Sequence, residues 1–402
     1  MTVRKNAVNR ELTPIPGGVC APDDFRASSA ACGFKQNGEL DLGVIVSKRR
    51  CPTACVYTTS AKRGAPILIT ERHLENEYAH AIVVNGGIAN TFQFGGERLA
   101  KDVCRIVENY CNVITEDVVV ASTGIMGQEL SLQTFEKGVS AAAEKLARSH
   151  EASYSVAQAM ANGGAEPMQL SFSFELGAIV CKIGAVFKAN THVSPNMATT
   201  LVFVTTDVNI TPKMLRKALQ YAVNETLNLM DIDGISSPND MVCIMANGRA
   251  DNWRIDCEDT DYRKFTSALK EFFHQIALRI LRNRKDKDRI LLCRVYGAQS
   301  AQISRALAKK IVGSVAVKED IKRGSVNAEN ILFSVAEIGG TKEFDNVSIC
   351  IRSEFGEAIV YEDDKRVPEM REQYKKIFAS SCVELSVQLA QGNYKSVGYT
   401  CI

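Results

Sequence analysis

No apolar run in the 402-residue chain approaches the roughly 20 residues that a membrane-crossing helix needs. The opening stretch MTVRKNAVNRELTPIPGG also lacks the apolar segment of a secretory signal. Charge of a single sign is missing as well: 48 Lys and Arg are interspersed with 46 Asp and Glu, for a formal +2. Such a balance makes no field suited to a phosphate backbone or an anionic bilayer. These absences indicate a cytoplasmic protein, with neither nucleic acid nor membrane as a partner.

Metal-binding spacings are absent too. The five histidines (His73, His80, His150, His192, His274) form no HExxH pair, and no CxxC occurs. Cys51 and Cys55 make a lone CxxxC inside CPTACVYTT, which reads as a loop entering a strand. No metal is expected. The 13 cysteines are odd in number and scattered, so they suit a reducing compartment where Cys packs as a small hydrophobe, without a disulfide framework. The glycine-rich pieces NGGIAN (Asn85 to Asn90) and FGGERLAKD (Phe94 to Asp102) match neither GxGxxG nor GxxxxGK[ST]. Nucleotide binding is not indicated, and no cofactor is expected.

What the chain does have is alternation. Short apolar strands appear as AIVV near Ala81, DVVVAST from Asp117, FSFELGAIVCKIGAVF from Phe172 and ATTLVFVTTDVNI from Ala198. Between them, GERLAKDVCRIVENY, the stretch Ser131 to Met160, PKMLRKALQYAVNETLNLM and TDYRKFTSALKEFFHQIALRILRN carry apolar residues at helical spacing. Sheets covered by helices follow. The length exceeds what a single core usually supports, and the charged run RNRKDKDR (Arg282 to Arg289) is the best boundary. It divides a main layered α/β domain, residues 1–284, from a smaller α/β domain, residues 285–402. In the latter, ILLCRVYGA, a helix from Ala298 to Val312, ILFSVAEIG, VSICIRSE and a last helix near Pro368 to Ser380 are predicted.

Three segments carry candidate chemistry. In KANTHVSPNMATTLVFVTTD (Lys188 to Asp207) a small residue precedes Thr at the head of an apolar run. Breaking the Ala198–Thr199 bond would give Thr199 a free α-amine as base for its own hydroxyl. The same letters also describe an ordinary buried strand, because Thr is β-branched. In VVVASTGIMG (Val118 to Gly127) a strand runs into Thr123 and Gly124, where a hydroxyl and backbone N–H groups could meet an oxyanion; a tight turn fits equally. The third segment, DIDGISSPND (Asp231 to Asp240), is either a pair of turns or part of a polar site.

Six blocks taken in order resemble one family. They are GGVCAPDDFRASSAACGFK, ACVYTTSAKRGAPILITERHL, AIVVNGGIAN, VVVASTGIMG, KANTHVSPNMATTLVFVTTD, and DIDGISSPND followed by MVCIMANG. Together they resemble the ornithine acetyltransferase family, also called glutamate N-acetyltransferase or the arginine-biosynthesis bifunctional protein. The resemblance implies a layered α-β-β-α sandwich, an α+β fold, and a precursor that cuts itself between Ala198 and Thr199. It implies ping-pong transfer of acetyl from N-acetylornithine to glutamate through acyl-Thr199. Thr123 and Gly124 would hold the oxyanion and Lys188 would bind substrate or bias nearby ionisation. The partners implied are small-molecule amino acids, and the two fragments would pair as α2β2.

Several positions depart from the family pattern. Ser194 stands for its usual His, and Gly86, Gly87, Ile88, Ala89 and Asn90 replace Ser-Gly-Asn-Ala-Asn. Ile235 falls where a second carboxylate is usual. RGSVNAEN (Arg323 to Asn330) puts Gly324 at the position of a substrate-contacting Glu, with Glu319 and Asp320 nearby, and KSVGYTCI stops at Ile402 where the family continues into a tail. These departures point to a shifted acyl donor or acceptor. Two alternatives stay open: an amidase or aminopeptidase using the same Thr, and an uncleaved, silent paralogue serving as a binding or structural protein.

Overall fold

The architecture is a computed structural model that describes residues 12–36, 38–161, 165–189, 200–231, 237–284, 287–339, 346–368 and 370–402. Ser194, Ala198 and Thr199 lie outside the described residues, as do Asp233 to Ser236. Two compact units divide the chain. The first falls within Met1–Asn190, Asn196–Ala222 and Ser236–Ile276. It carries β1 (Thr13–Pro14), β2 (Phe25–Ala30), β3 (Leu42–Tyr57), α1 (Ala65–His73), β4 (Tyr78–Asn85), α2 (Gly96–Cys111), β5 (Val118–Ser122) and α3 (Leu132–Ala143). There follow α4 (His150–Met160), β6 (Met168–Leu176), β7 (Ile179–Ala189), β8 (Thr200–Thr206), α5 (Pro212–Asn224), β9 (Met241–Ala246) and α6 (Thr260–Arg282), the helices α5 and α6 continuing beyond the unit's bounds.

The long strand β3 serves two sheets. Its first half pairs with β2 and β4, and β5 extends that layer. Its second half, Thr53 to Tyr57, pairs with β9, and the layer continues through β8, β7 and β6 to β1. The change of partner coincides with a register shift between Val46 and Cys51, the kind of irregularity that bends a strand. Both layers bury one face in a common core, with Ile45, Ile82 and Val119 from one meeting Leu201, Phe203 and Met245 from the other. Alternation makes this possible: in β8, Leu201 and Phe203 point to that core while Val202 and Val204 are buried on the opposite face.

Helices close both outer faces. Val44, Val83, Val118 and Val120 pack with Val103 and Val107 of α2 and with Phe135 and Val139 of α3. On the far side α6 sets Phe265 and Phe272 against Phe174 and Phe172 of β6, at ring separations of 6.3 and 5.9 Å. The layering is α-β-β-α, as the sequence implies. Each fully buried aromatic or aliphatic side chain contributes about 1.5–3 kcal/mol, so the two-faced burial of β8 and β9 makes this the firmest part of the unit.

The stretch Ser131 to Met160 is two helices rather than one. Ala147 exchanges two backbone hydrogen bonds with Ala27, at 2.9 and 3.1 Å, and Ser149 Oγ accepts from the Ala152 N–H to start α4 afresh. A serine that caps is worth about 1 kcal/mol, enough with the strand contact to break a continuous helix.

The second unit falls within Thr191–Pro195, Val223–Ile235 and Ala277–Ile402. It holds β10 (Ile290–Ala298), α7 (Ala301–Gly313), α8 (Val315–Lys322), α9 (Ala328–Gly339), β11 (Ser348–Ser353), β12 (Gly356–Glu362), β13 (Lys365–Arg366), α10 (Arg371–Ile377), β14 (Cys382–Gln388) and β15 (Tyr394–Cys401). The sheet order is β13-β12-β11-β14-β10-β15, with β10 and β14 parallel. The run ILFSVAEIG belongs to helix α9, whose Ala328, Ile331 and Val335 recur at three and four residues in the unit's core. No helix among the described residues is long and apolar enough to cross a membrane.

Candidate active site

Parallel strands β4 and β5 end side by side, with Asn85 opposite Ser122. The chain stays paired beyond both strands. The Thr123 N–H donates to Asn85 O at 2.9 Å, the Ile125 N–H to Gly87 O at 2.8 Å, and the Ala89 N–H to Ile125 O at 2.8 Å. Between them Gly124 has φ 133°, and a Cβ there would lie 2.1 Å from the carbonyl carbon and oxygen of Gly87. Only glycine fits this crossing of two backbones. Among the described residues the Gly124 N–H has no hydrogen-bond partner.

Lys188 approaches from β7. Its Nζ donates to Thr123 Oγ1 at 2.7 Å, and both side chains are buried, at 5% and 6% exposure. A hydroxyl that accepts from an amine keeps its own O–H to give elsewhere. The turn therefore offers two donors of different kinds, the Thr123 O–H and the Gly124 N–H, which is what a developing oxyanion requires. Burial lowers the Lys188 ammonium from its usual range to about 7; the positive charge of Lys35 adds to this and Asp240 opposes it.

Strand register brings the remaining polar groups to the same end of the sheet. Lys188 pairs with Leu201 and Ala189 with Thr200, so β8 opens at the residue that directly follows Thr199 in sequence. Met241 pairs with both Leu201 and Tyr57, which sets Asp240 and Thr58 just beyond these strands. The Thr58 N–H donates to Asp240 O at 3.0 Å, and Thr58 Oγ1 donates to Ser237 O at 2.7 Å. Thus Ser237 and Asp240, the described part of DIDGISSPND, are both turn and polar site.

Lys35, Asp41 and Thr58 have no counterpart among the residues singled out from sequence. Asp41 is fully buried, and its carboxylate accepts from the backbone N–H groups of Cys32, Gly33, Phe34 and Lys35 at 2.6–3.0 Å. It folds that loop around itself and so delivers Lys35. The one sequence signal was a carboxylate at the head of an apolar run, LDLGVIV, behind a glycine turn. The departures at Gly86 to Ile88 have a steric basis: a Cβ on Gly86 would lie 2.1 Å from Ala159 O, one on Gly87 would lie 2.4 Å from Phe34 O, and Ile88 joins the buried cluster under α2 and α3.

Of the predicted site residues, then, Thr123, Gly124 and Lys188 meet in the first unit, whereas Ala198 and Thr199 lie outside the described residues. Gly324 belongs to the second unit and ends α8 with φ 76°. Close by, Glu319 lies 3.8 Å from Arg323, and Asp320 Oδ2 accepts from Asn330 Nδ2 at 2.7 Å. No three His, Cys, Asp or Glu side chains among the described residues are grouped to hold a metal ion.

The ArgJ family model matches residues 26–401. The arginine biosynthesis bifunctional protein ArgJ of Symbiobacterium thermophilum is 34% identical over 334 residues, with 82% of each chain covered. ArgJ 1 of Clostridium acetobutylicum is 30% identical over 406 residues, covering 98% of this chain and 94% of its own. Among solved structures, the arginine biosynthesis bifunctional protein argJ from Bacillus halodurans gives a TM-score of 0.44 at 24% identity, over 46% of this chain and 98% of that one.

Proposed function

The chain belongs to the ArgJ family, and we propose on that premise that it is an acetyltransferase of arginine biosynthesis that moves acetyl from N-acetylornithine to glutamate through a threonine ester. Scission of Ala198–Thr199 comes first. The Thr199 hydroxyl attacks the Ala198 carbonyl, the acyl group shifts from N to O, and water hydrolyses the ester, leaving Thr199 with a free α-amine. In turnover that amine takes the hydroxyl proton as Oγ1 attacks the acetyl carbonyl. The tetrahedral oxyanion is held by the Thr123 O–H and the Gly124 N–H. Collapse breaks the C–N bond and returns the proton to the departing ornithine amine. Glutamate's amine then attacks the acetyl ester by the reverse steps.

The observation that most supports this reading is the 2.7 Å bond from Lys188 Nζ to Thr123 Oγ1 beside the glycine crossing, with β8 starting one residue past the scission point. Lys188 orients the Thr123 hydroxyl and, with its lowered proton affinity, biases ionisation near the new amine. The fragments Met1 to Ala198 and Thr199 to Ile402 stay together as α2β2 in the cytoplasm.

Intact mass under denaturing conditions tests it. Two fragments meeting at Ala198–Thr199 in the wild type, one chain in Thr199→Ala, and acetyl moved from N-acetylornithine to glutamate by the cleaved form are expected. Acetate released with no acceptor would mean an amidase. A single uncleaved chain in both proteins would sink the mechanism.

A further inference from the structure

Lys35 holds its side chain in a way that fixes its charge. Its Nζ donates to three backbone carbonyls, Leu40 O at 2.9 Å, Gln158 O at 3.1 Å and Ala161 O. Three acceptors around one nitrogen require three N–H groups, which only the ammonium has. Burial pulls its proton affinity down, while the carboxylates of Glu39 and Asp41 pull it up. The loop that carries it is locked by the four N–H bonds to Asp41.

This fixed cation lies against the back of the glycine crossing. A Cβ on Gly86 would come within 3.0 Å of Lys35 Cε, and one on Gly87 within 3.1 Å of Lys35 Cγ. Gly87 in turn contacts Gly124, next to the Thr123 hydroxyl that accepts from Lys188. We propose that Lys35 is a positioning residue whose locked ammonium repels a proton from Lys188, keeping a fraction of Lys188 neutral at physiological pH so that it can exchange protons at the site. The repulsion is the second cause, after burial, of the low proton affinity of Lys188, and Asp240 at the head of β9 is the opposing charge. Like charges disfavour each other most where water is excluded, and Lys188 is 5% exposed. The proposal rests on the acetyltransferase reading only in treating Lys188 as part of the site.

The test reads Lys188 directly. Trace acetylation of the full chain with acetic anhydride over pH 5 to 11, with the Lys188 peptide quantified by mass spectrometry, gives the midpoint at which its amine becomes reactive. In Lys35→Arg, which keeps charge and donors, the midpoint stays where the wild type has it. In Lys35→Gln, which keeps donors to the carbonyls and loses the charge, it rises by about one pH unit, a tenfold gain in proton affinity. The acid limb of kcat/KM moves up with it. An unchanged midpoint in a Lys35→Gln protein with wild-type circular dichroism overturns the proposal. Should that variant not fold, the wild type alone decides the premise: a Lys188 midpoint at the ordinary lysine value of about 10.4 overturns it, and one near neutrality upholds it. None of these outcomes depends on acetyl transfer, so the failure of one reading is distinguishable from that of the other.

Discussion

At the scale of single residues the site is two backbones meeting at a glycine, with a threonine hydroxyl and a lysine beside them. The hydroxyl has two jobs there, accepting from Lys188 Nζ at 2.7 Å and giving its own hydrogen to whatever oxygen develops charge over the turn. Serine can do both and valine neither, although valine fills the same volume. Thr123→Val should therefore lower kcat by roughly 10²–10³, the usual effect of removing one oxyanion donor, with KM little changed. Thr123→Ser should retain most activity. Equal losses in the two variants, measured as steady-state acetyl transfer, would mean that the methyl rather than the hydroxyl matters. This pair of residues was legible in VVVASTGIMG because donors next to a glycine turn are contiguous in sequence. Lys35, Asp41 and Asp240 were not: their effect on Lys188 arises from strands and loops that are brought together only by folding.

At the scale of elements, strands and most helices follow from periodicity, and the misreadings have local causes. The continuous helix expected over Ser131 to Met160 fails at Ala147, whose partner Ala27 is 120 positions away on β2, beyond what any helical pattern can report. The dual use of β3 is hidden for the same reason, since its run of strand-forming residues does not say where its partner changes. Gly324 is the converse case, a position whose role is visible in geometry and misleading in alignment. The Gly324 N–H donates to Ile321 O at 3.1 Å and the Ser325 N–H to Asp320 O at 3.0 Å, so Gly324 closes the last turn of α8 in the left-handed region. A Glu placed there would strain the backbone. Gly324→Glu should lower the stability of the chain by about 1 kcal/mol or more, seen as an earlier urea midpoint. A variant as stable as the wild type would show that α8 ends elsewhere in solution.

For the molecule as a whole, two buried charges on neighbouring strands give folding a pH dependence that can be worked out in sign. Lys188 on β7 has its proton affinity lowered to about 7, chiefly by burial. Below pH 7 the folded and unfolded chains both carry its proton and folding bears the full penalty of a buried ammonium. As pH rises from 7 towards 10.5 the unfolded chain holds more protons, stability increases, and the penalty is gone above that range. Asp207, after β8, runs the other way: burial pushes its carboxyl up to about 6 against the stabilising Lys182 N–H, which donates to it at 2.7 Å. Its penalty is absent below 3.8, grows as pH rises to 6 and is constant beyond. Both penalties are complete between pH 6 and 7. Lys188→Met should thus make the first unit more stable at pH 6, with an advantage that fades to nothing by about pH 10. Asp207→Asn should gain nothing at pH 3.5 and a constant amount above pH 6. Amide exchange in β7, β8 and β9 reports this unit without assuming that the two units unfold together. If the Lys188→Met advantage persisted undiminished at pH 10, its origin would be packing rather than charge, and the burial argument for that lysine would fail.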